Sequence, residues 1–342
     1  MVRKLSGENF NVVVLDPLPK AFYQSLFEPY ANKLKKGINI EVFADISDME
    51  KIGEALRKAD VVIGDHTMQI KIDRKICDMF GNVKLLQQPS TGFDHIDIEA
   101  CREKGIPVAN IGAANSLSVA EYTIAVALIL LKRLILANNG IKEGKWLQWE
   151  LMDMGTYDLY GKTWGIIGLG RQGKELAKRL IPFNVKVIYY DKFSDEKSEK
   201  ELNVSYKPLN QLLRDSDIVS VHVPLTNETR NMISQKEFRM MKPGAIFIDP
   251  ARGELINAKA LANSLENGII GGAAIDVFIK EPPDEGDPLV SLLRKNPNVN
   301  LILTPHIAGA NTDTRARIIS VSIENVVKVL NGEKPENVVN GV

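Results

Sequence analysis

The sequence predicts an α/β protein built on two doubly wound parallel sheets. Short runs rich in β-branched residues recur along the chain and alternate with helical stretches, the rhythm of strand–helix–strand units. Those runs are apolar nearly throughout, as strands covered on both faces must be. At 342 residues the chain also exceeds what one ordinary hydrophobic core supports, so two domains follow.

The first half offers five strands, Asn11–Leu15, Ile38–Phe43, Asp60–Gly64, Val83–Gln87 and Ile106–Ala109. A helix then separates the halves. Ser118-Val-Ala-Glu121 reads as a capping box at its start, and the segment Val119–Leu136 is apolar nearly all round. Such a helix needs cover on several sides, which a second copy of the chain supplies in part. Its uncharged stretch, Tyr122–Leu131, is too short to span a bilayer. The following segment, 138–161, is read as an irregular, polar connection carrying Trp146, Trp149 and Tyr157. The second half offers six strands, Thr163–Gly168, Val185–Tyr190, Asp217–Val223, Ala245–Asp249, Gly271–Val277 and Asn300–Thr304. Ile319, Ile323, Val326, Val327 and Leu330 then fall at helical spacing before Gly332, a final helix able to return to the first domain.

Composition narrows the function. Lys+Arg and Asp+Glu both number 43, so no net charge favours a polyanion or an anionic membrane, and no nucleic-acid partner is expected. Cys77 and Cys101 have no metal-site spacing and read as small buried side chains, with no metal. Residues 1–8 carry charge but no apolar core behind it, which gives the expectation of a cytoplasmic protein.

The strongest local motif is Gly168-Leu-Gly170-Arg171-Gln172-Gly173, directly after a predicted strand and before a predicted helix. The first glycine permits a tight turn, the second lets backbone approach a pyrophosphate, and the third lets helix lie close to strand. The helix N-terminus then presents N–H groups to phosphate. The next strand ends in Asp191, spaced to bond ribose hydroxyls and to repel a 2′-phosphate. NAD is therefore the expected cofactor, in preference to NADP. Further on, Arg252, Glu281 and His306 all follow predicted strands, on the side of a parallel sheet where ligands bind. Arginine grips a carboxylate with paired hydrogen bonds, histidine passes a proton near neutrality, and a carboxylate beside it orients the ring.

The chain resembles the D-isomer-specific 2-hydroxyacid dehydrogenase family over almost its whole length. The resemblance rests on Ser90-Thr-Gly-Phe-Asp-His-Ile-Asp, Asn115-Ser-Leu-Ser-Val-Ala-Glu, Gly161-Lys-Thr-Trp-Gly-Ile-Ile-Gly-Leu-Gly-Arg, Val221-His-Val-Pro-Leu, Ala251-Arg-Gly, Asp276-Val-Phe-Ile-Lys-Glu-Pro and Thr304-Pro-His-Ile-Ala-Gly. It implies a Rossmann NAD-binding domain, residues 116–307, inserted in a flavodoxin-like substrate domain, residues 1–115 plus 308–342. It implies that Arg252 binds the substrate carboxylate and carbonyl, that Glu281 pairs with His306, and that His306 is the proton donor in reduction. Thr91 and Gly92 are implied to present N–H groups to the substrate carboxylate. Asp276 is implied to lie near the nicotinamide carboxamide, with Val223, Pro224, Pro250, Ala251, Arg252 and His306 also along the cofactor. A homodimer on the long helix is implied too.

Family members usually carry a small polar residue where Pro250 stands, so one cofactor contact is expected to be lost. His222 is expected to be structural and His95 to bond within its turn, while His66 is a candidate to face the cleft. Related formate dehydrogenases carry Gln where Glu281 stands, which argues against that activity. Two alternatives are kept, a short D-3-phosphoglycerate dehydrogenase without its regulatory domain and an NAD-sensing corepressor-like binding protein. Similar enzymes that act on 3-phosphoglycerate usually place phosphate-facing arginines three residues before the Thr-Gly pair and just after the third strand. Here those positions hold Gln88 and Asp65, which favours a small unphosphorylated keto acid such as glyoxylate or hydroxypyruvate.

Overall fold

The structure is a computed structural model that describes residues 9–342; the N-terminal segment 1–8, on which part of the cytoplasmic expectation rests, lies outside the described residues. The chain forms two compact units. One ends at Asn115 and resumes over Thr312–Val342, and the other is Ser116–Asn311.

The first unit holds five parallel strands, β1 (Phe10–Leu15), β2 (Ile38–Phe43), β3 (Val61–Ile63), β4 (Leu85–Gln87) and β5 (Val108–Ala109). Their order, β2-β1-β3-β4-β5, is the flavodoxin-like doubly wound order. Apolar side chains fill both faces. Val13, Leu15, Val62 and Leu86 pack with Ile52, Leu56 and Ile76 on one side. Val12, Val14, Val61 and Leu85 pack with Ile323, Val326 and Leu330 of the helix Thr312–Leu330 on the other. That helix is tied to the sheet by polar bonds as well. The buried Asn325 donates to Gln87 Oε1 at 2.9 Å and to the Glu336 carbonyl at 2.9 Å, and accepts from the Glu336 N–H at 2.7 Å.

The second unit holds seven parallel strands, β6 (Thr163–Ile167), β7 (Lys186–Tyr190), β8 (Val204–Tyr206), β9 (Ile218–Val221), β10 (Ile246–Asp249), β11 (Gly272–Ile275) and β12 (Leu301–Leu303). The order β12-β11-β10-β9-β6-β7-β8 is the Rossmann order with one strand added at its far edge. Topology reverses between β6 and β9, which is where such sheets bind dinucleotides. Trp164 is fully buried on β6. Its Nε1–H donates to Ser220 Oγ at 2.9 Å, and the same hydroxyl lies 3.0 Å from His222 Nε2. Burial brings the His222 pKa down to about 3, so this histidine stays neutral and serves the core.

The structure corrects four expectations. Strand β8 was not foreseen, because three residues at a sheet edge give little periodic signal. The separating helix begins at Ser116 rather than at Ser118, so Ser118 and Glu121 form no capping box; the Ser118 hydroxyl is buried and accepts from Asn311 Nδ2 at 3.0 Å. The helix also ends at Lys132, where Arg133 takes φ +50° and starts a second helix, Leu134–Lys142. Finally, the stretch 138–161 is not irregular throughout, since it includes the end of that second helix and Gln148–Asp153. Among the described residues no helix is long and apolar enough to cross a membrane.

Asn325→Leu should destabilise the first unit, because it strands Gln87 Oε1 and the Glu336 backbone without partners. The cost is about 1–3 kcal/mol per buried polar group left unmade. Urea unfolding should show a lower midpoint with an unchanged slope; an unchanged midpoint contradicts the assignment.

Candidate active site

The glycine loop joins β6 to the helix Arg171–Leu180. Gly168 has φ +99°, and a Cβ there would stand 2.8 Å from Val223 Cγ1 and 2.9 Å from the His222 carbonyl, so the end of β9 presses directly on the loop. A Cβ on Gly173 would fall 2.2 Å from the Gly168 carbonyl oxygen, which fixes the closeness of helix to strand. Gly170 differs. A Cβ there would meet no protein atom within 4 Å, so the protein itself makes no demand for glycine. The open space lies at a helix N-terminus that no side chain caps, and it fits a pyrophosphate. Asp191, at the end of β7, sits against the same loop: its Oδ2 accepts the Leu169 N–H at 2.8 Å and its Oδ1 the Lys192 N–H at 2.7 Å. The glycine loop, the uncapped helix N-terminus after it and Asp191 beside it thus fit NAD.

Arg252, Glu281 and His306 stand beyond β10, β11 and β12, and the structure brings the last two into contact. His306 Nδ1 lies 2.7 Å from Glu281 Oε2, and Glu281 Oε1 accepts the Phe278 N–H at 3.0 Å. Burial raises the Glu281 pKa, but the bonds from His306 and Phe278 and the charges of His306 and Arg252 outweigh it and leave the carboxyl below its usual range. With Nδ1 committed to Glu281, Nε2 is the ring nitrogen available for proton transfer. Arg252 is brought near by Gly253, where a Cβ would stand 2.3 Å from the Phe278 carbonyl carbon; the Arg252 loop and the Phe278–Glu281 loop therefore touch along their backbones. Arg252 Nη1 donates to the Ala251 carbonyl at 2.7 Å.

His306 is itself unusual, with φ +56° in the left-handed region. Asp276 holds it there. The Asp276 carbonyl accepts the His306 N–H at 2.8 Å, Oδ1 accepts the Thr304 hydroxyl at 2.5 Å and the Ile307 N–H at 2.9 Å, and Oδ2 accepts the Ala308 N–H at 2.7 Å. Tyr122 closes the chain by lying 2.6 Å from Thr304 Oγ1. The Asp276 carboxylate, read from the sequence as a partner of the nicotinamide carboxamide, is thus engaged first with the histidine loop. Thr304 and Tyr122 were missed in the sequence; a hydroxyl two residues before the histidine was the available signal for the first, and nothing local marks the second.

Thr91 and Gly92 belong to the first unit. Thr91 Oγ1 donates to Asn115 Oδ1 at 2.9 Å, its carbonyl accepts Asn110 Nδ2 at 2.9 Å, and the Gly92 carbonyl accepts the Ser90 hydroxyl at 2.7 Å. His66, a candidate cleft residue, pairs with Asp16 at 2.5 Å, and that bond raises its pKa. Asp65 and Gln88 need a correction. Asp65 is fully buried and its carboxylate accepts the Thr67, Gln69 and Ile70 N–H groups, while Gln88 is buried and donates to the Asp65 carbonyl and to Ser90 Oγ. Asp65 therefore offers no surface charge to repel a phosphate; both residues build the loop.

Residues 124–308 match the model of the D-isomer specific 2-hydroxyacid dehydrogenase NAD binding domain. A glyoxylate reductase of Korarchaeum cryptofilum is 35% identical over 90% of this chain and 92% of its own length. A D-3-phosphoglycerate dehydrogenase of Archaeoglobus fulgidus is 34% identical over 90% of this chain but only 56% of its own length. Among solved structures, a D-lactate dehydrogenase from Aquifex aeolicus complexed with NAD and lactic acid matches with a TM-score of 0.80 and 30% identity, over 94% of this chain and 96% of that one.

Gly173→Ala should weaken NADH binding at least about tenfold, the effect of losing roughly 1.4 kcal/mol, because the added methyl drives the helix from the glycine loop. Fluorescence titration of NADH checks this, and an unchanged dissociation constant contradicts the close-approach argument.

Proposed function

The chain belongs to the D-isomer-specific 2-hydroxyacid dehydrogenases, and we propose that it reduces a small unphosphorylated 2-keto acid, glyoxylate or hydroxypyruvate, to the D-2-hydroxy acid. The observation that carries this reading is the 2.7 Å contact between His306 Nδ1 and Glu281, whose loop also touches that of Arg252. NADH, when bound in the glycine-loop crevice, supplies the hydride. Arg252 holds the substrate carboxylate and carbonyl, His306 Nε2 gives its proton to the carbonyl oxygen, and Glu281 orients the ring and stabilises the charged imidazole. Thr91 and Gly92 offer backbone N–H groups to the carboxylate, and Asp276, Pro250 and Ala251 line the nicotinamide end.

The substrate reading is supported by the absence of a cation at the two positions read for phosphate, since Gln88 and Asp65 are both buried in loop structure. Glyoxylate reductases 35% and 39% identical to this chain support the same reading, and the short D-3-phosphoglycerate dehydrogenase alternative is less favoured. Turnover of NADH with a panel of keto acids separates this reading from the corepressor-like one, in which the same residues only bind. A homodimer is part of the proposal. The helix Ser116–Lys132, expected to carry the dimer, buries Val119, Ala120, Ile124, Val126, Ala127, Leu130 and Leu131 within the chain itself, whereas Leu134, Ile135, Ile141, Trp146, Trp149 and Met152 after it are exposed, and these support a second copy as their cover. A cytoplasmic setting fits the two free buried cysteines.

NADH oxidation with hydroxypyruvate, glyoxylate and phosphohydroxypyruvate tests the substrate. The unphosphorylated acids should be preferred in kcat/KM, and a clear preference for the phosphate ester would reveal a cationic pocket that contradicts the reading. In the same assay NADH should exceed NADPH by at least about tenfold, the effect of one unfavourable carboxylate–phosphate contact at Asp191. Equal use of the two cofactors contradicts that role.

A further inference from the structure

At the head of the second sheet two carboxyls stand one strand apart. Asp249 ends β10 and Asp276 follows β11, and the Asp276 N–H donates to the Asp249 carbonyl at 3.0 Å. Their surroundings differ sharply. The Asp276 carboxylate accepts a hydroxyl and two backbone N–H groups. Asp249 is completely enclosed. One of its oxygens, Oδ1, accepts the Ala251 N–H at 2.9 Å, and its carboxyl also takes the Arg252 N–H. The other, Oδ2, is enclosed without a hydrogen-bond partner among the described residues.

The groups facing Asp249 are few. Arg252 comes from its own loop, Asp276 from the end of β11, and Tyr122 from the helix Ser116–Lys132 packed across β10. On the neighbouring β9 side, His222 is neutral and its pKa is set by burial alone. His306 faces Asp276. Two buried anions at adjacent strand ends repel each other, so the worse-solvated one is the first to take a proton. With three donors on its carboxylate, Asp276 is the better anion. Asp249, with an enclosed and unpartnered oxygen, is the worse.

We infer that Asp249 is held as a neutral carboxylic acid in the working enzyme and that, through the Ala251 and Arg252 N–H groups, it positions Arg252 for the substrate. The inference rests on the reading of Arg252 as the carboxylate-binding residue. Burial is the largest influence on Asp249 and pushes its pKa up to about 7; the two backbone donors and the Arg252 charge oppose the rise, and Asp276 adds to it. As pH climbs through that value, Asp249 gains a charge that draws the guanidinium inward and repels the substrate carboxylate. Substrate capture then weakens.

The test compares wild type with Asp249→Asn, which keeps the shape and the acceptor but never ionises, and with Asp249→Leu, which removes the acceptor. Reduction requires a proton on His306, and on this account a second on Asp249. The alkaline limb of log kcat/KM for glyoxylate with NADH should approach a slope of two in wild type and of one in Asp249→Asn. Asp249→Leu should raise KM at least about tenfold at every pH. Infrared spectra of the substrate-free protein provide an independent reading. Wild type should show a protonated-carboxyl C=O band that disappears as pH rises through neutrality and is missing from Asp249→Asn. Equal slopes in wild type and Asp249→Asn, or a wild-type spectrum with no such band, overturns the inference. If none of the keto acids is reduced, the functional reading fails, while the infrared band still decides the protonation of Asp249.

Discussion

The chemistry of the second unit depends on one carboxylate in a turn. Asp276 gathers Thr304, Ile307 and Ala308 around its two oxygens and takes the His306 N–H on its carbonyl. Those bonds hold His306 at φ +56°, a conformation that costs a residue with a side chain about 1–2 kcal/mol. Hydrogen bonds to an ionised acceptor contribute about 1.5–3 kcal/mol each, so the turn is held firmly against that strain. The result is an imidazole whose Nδ1 reaches Glu281 from the neighbouring loop. Without the turn, the two side chains would have no fixed separation, and the histidine no fixed donor nitrogen.

The same logic of close backbones runs through the rest of the site. Gly168 and Gly173 let β6, the end of β9 and the following helix meet at the point where strand order reverses, and Gly253 lets the Arg252 loop lie on the loop that carries Glu281. In each case a methyl group would collide with backbone, which cannot move aside as a flexible side chain can. Gly170 is the exception, since a methyl group there would meet no neighbouring part of the chain.

Much of this was legible in the chain because it is local. Uninterrupted apolar strands, the glycine spacing and the acid at the end of β7 are signals carried within a few residues, and the three candidate side chains Arg252, Glu281 and His306 each follow a strand. The remainder depends on partners distant in sequence. Asp16 and His66, or Gln87 and Asn325, meet across the sheet of the first unit, and no pattern along the chain marks either pair. Asp65 and Gln88 were read as features of a substrate surface, yet folding buries both to build a loop. The start of the long helix was misplaced for the same reason, because Ser118 finds its partner in Asn311 rather than in Glu121. Nothing along the chain singles out Asp249; only its enclosure distinguishes it.

The central claim is that His306 gives the proton to the substrate carbonyl. The most direct measurement is turnover and NADH binding of His306→Ala side by side. Loss of a general acid should lower kcat at least about a hundredfold, while NADH affinity falls far less, because the glycine loop and Asp191 follow β6 and β7 rather than β12. A variant that keeps most of its reductase activity would contradict the account.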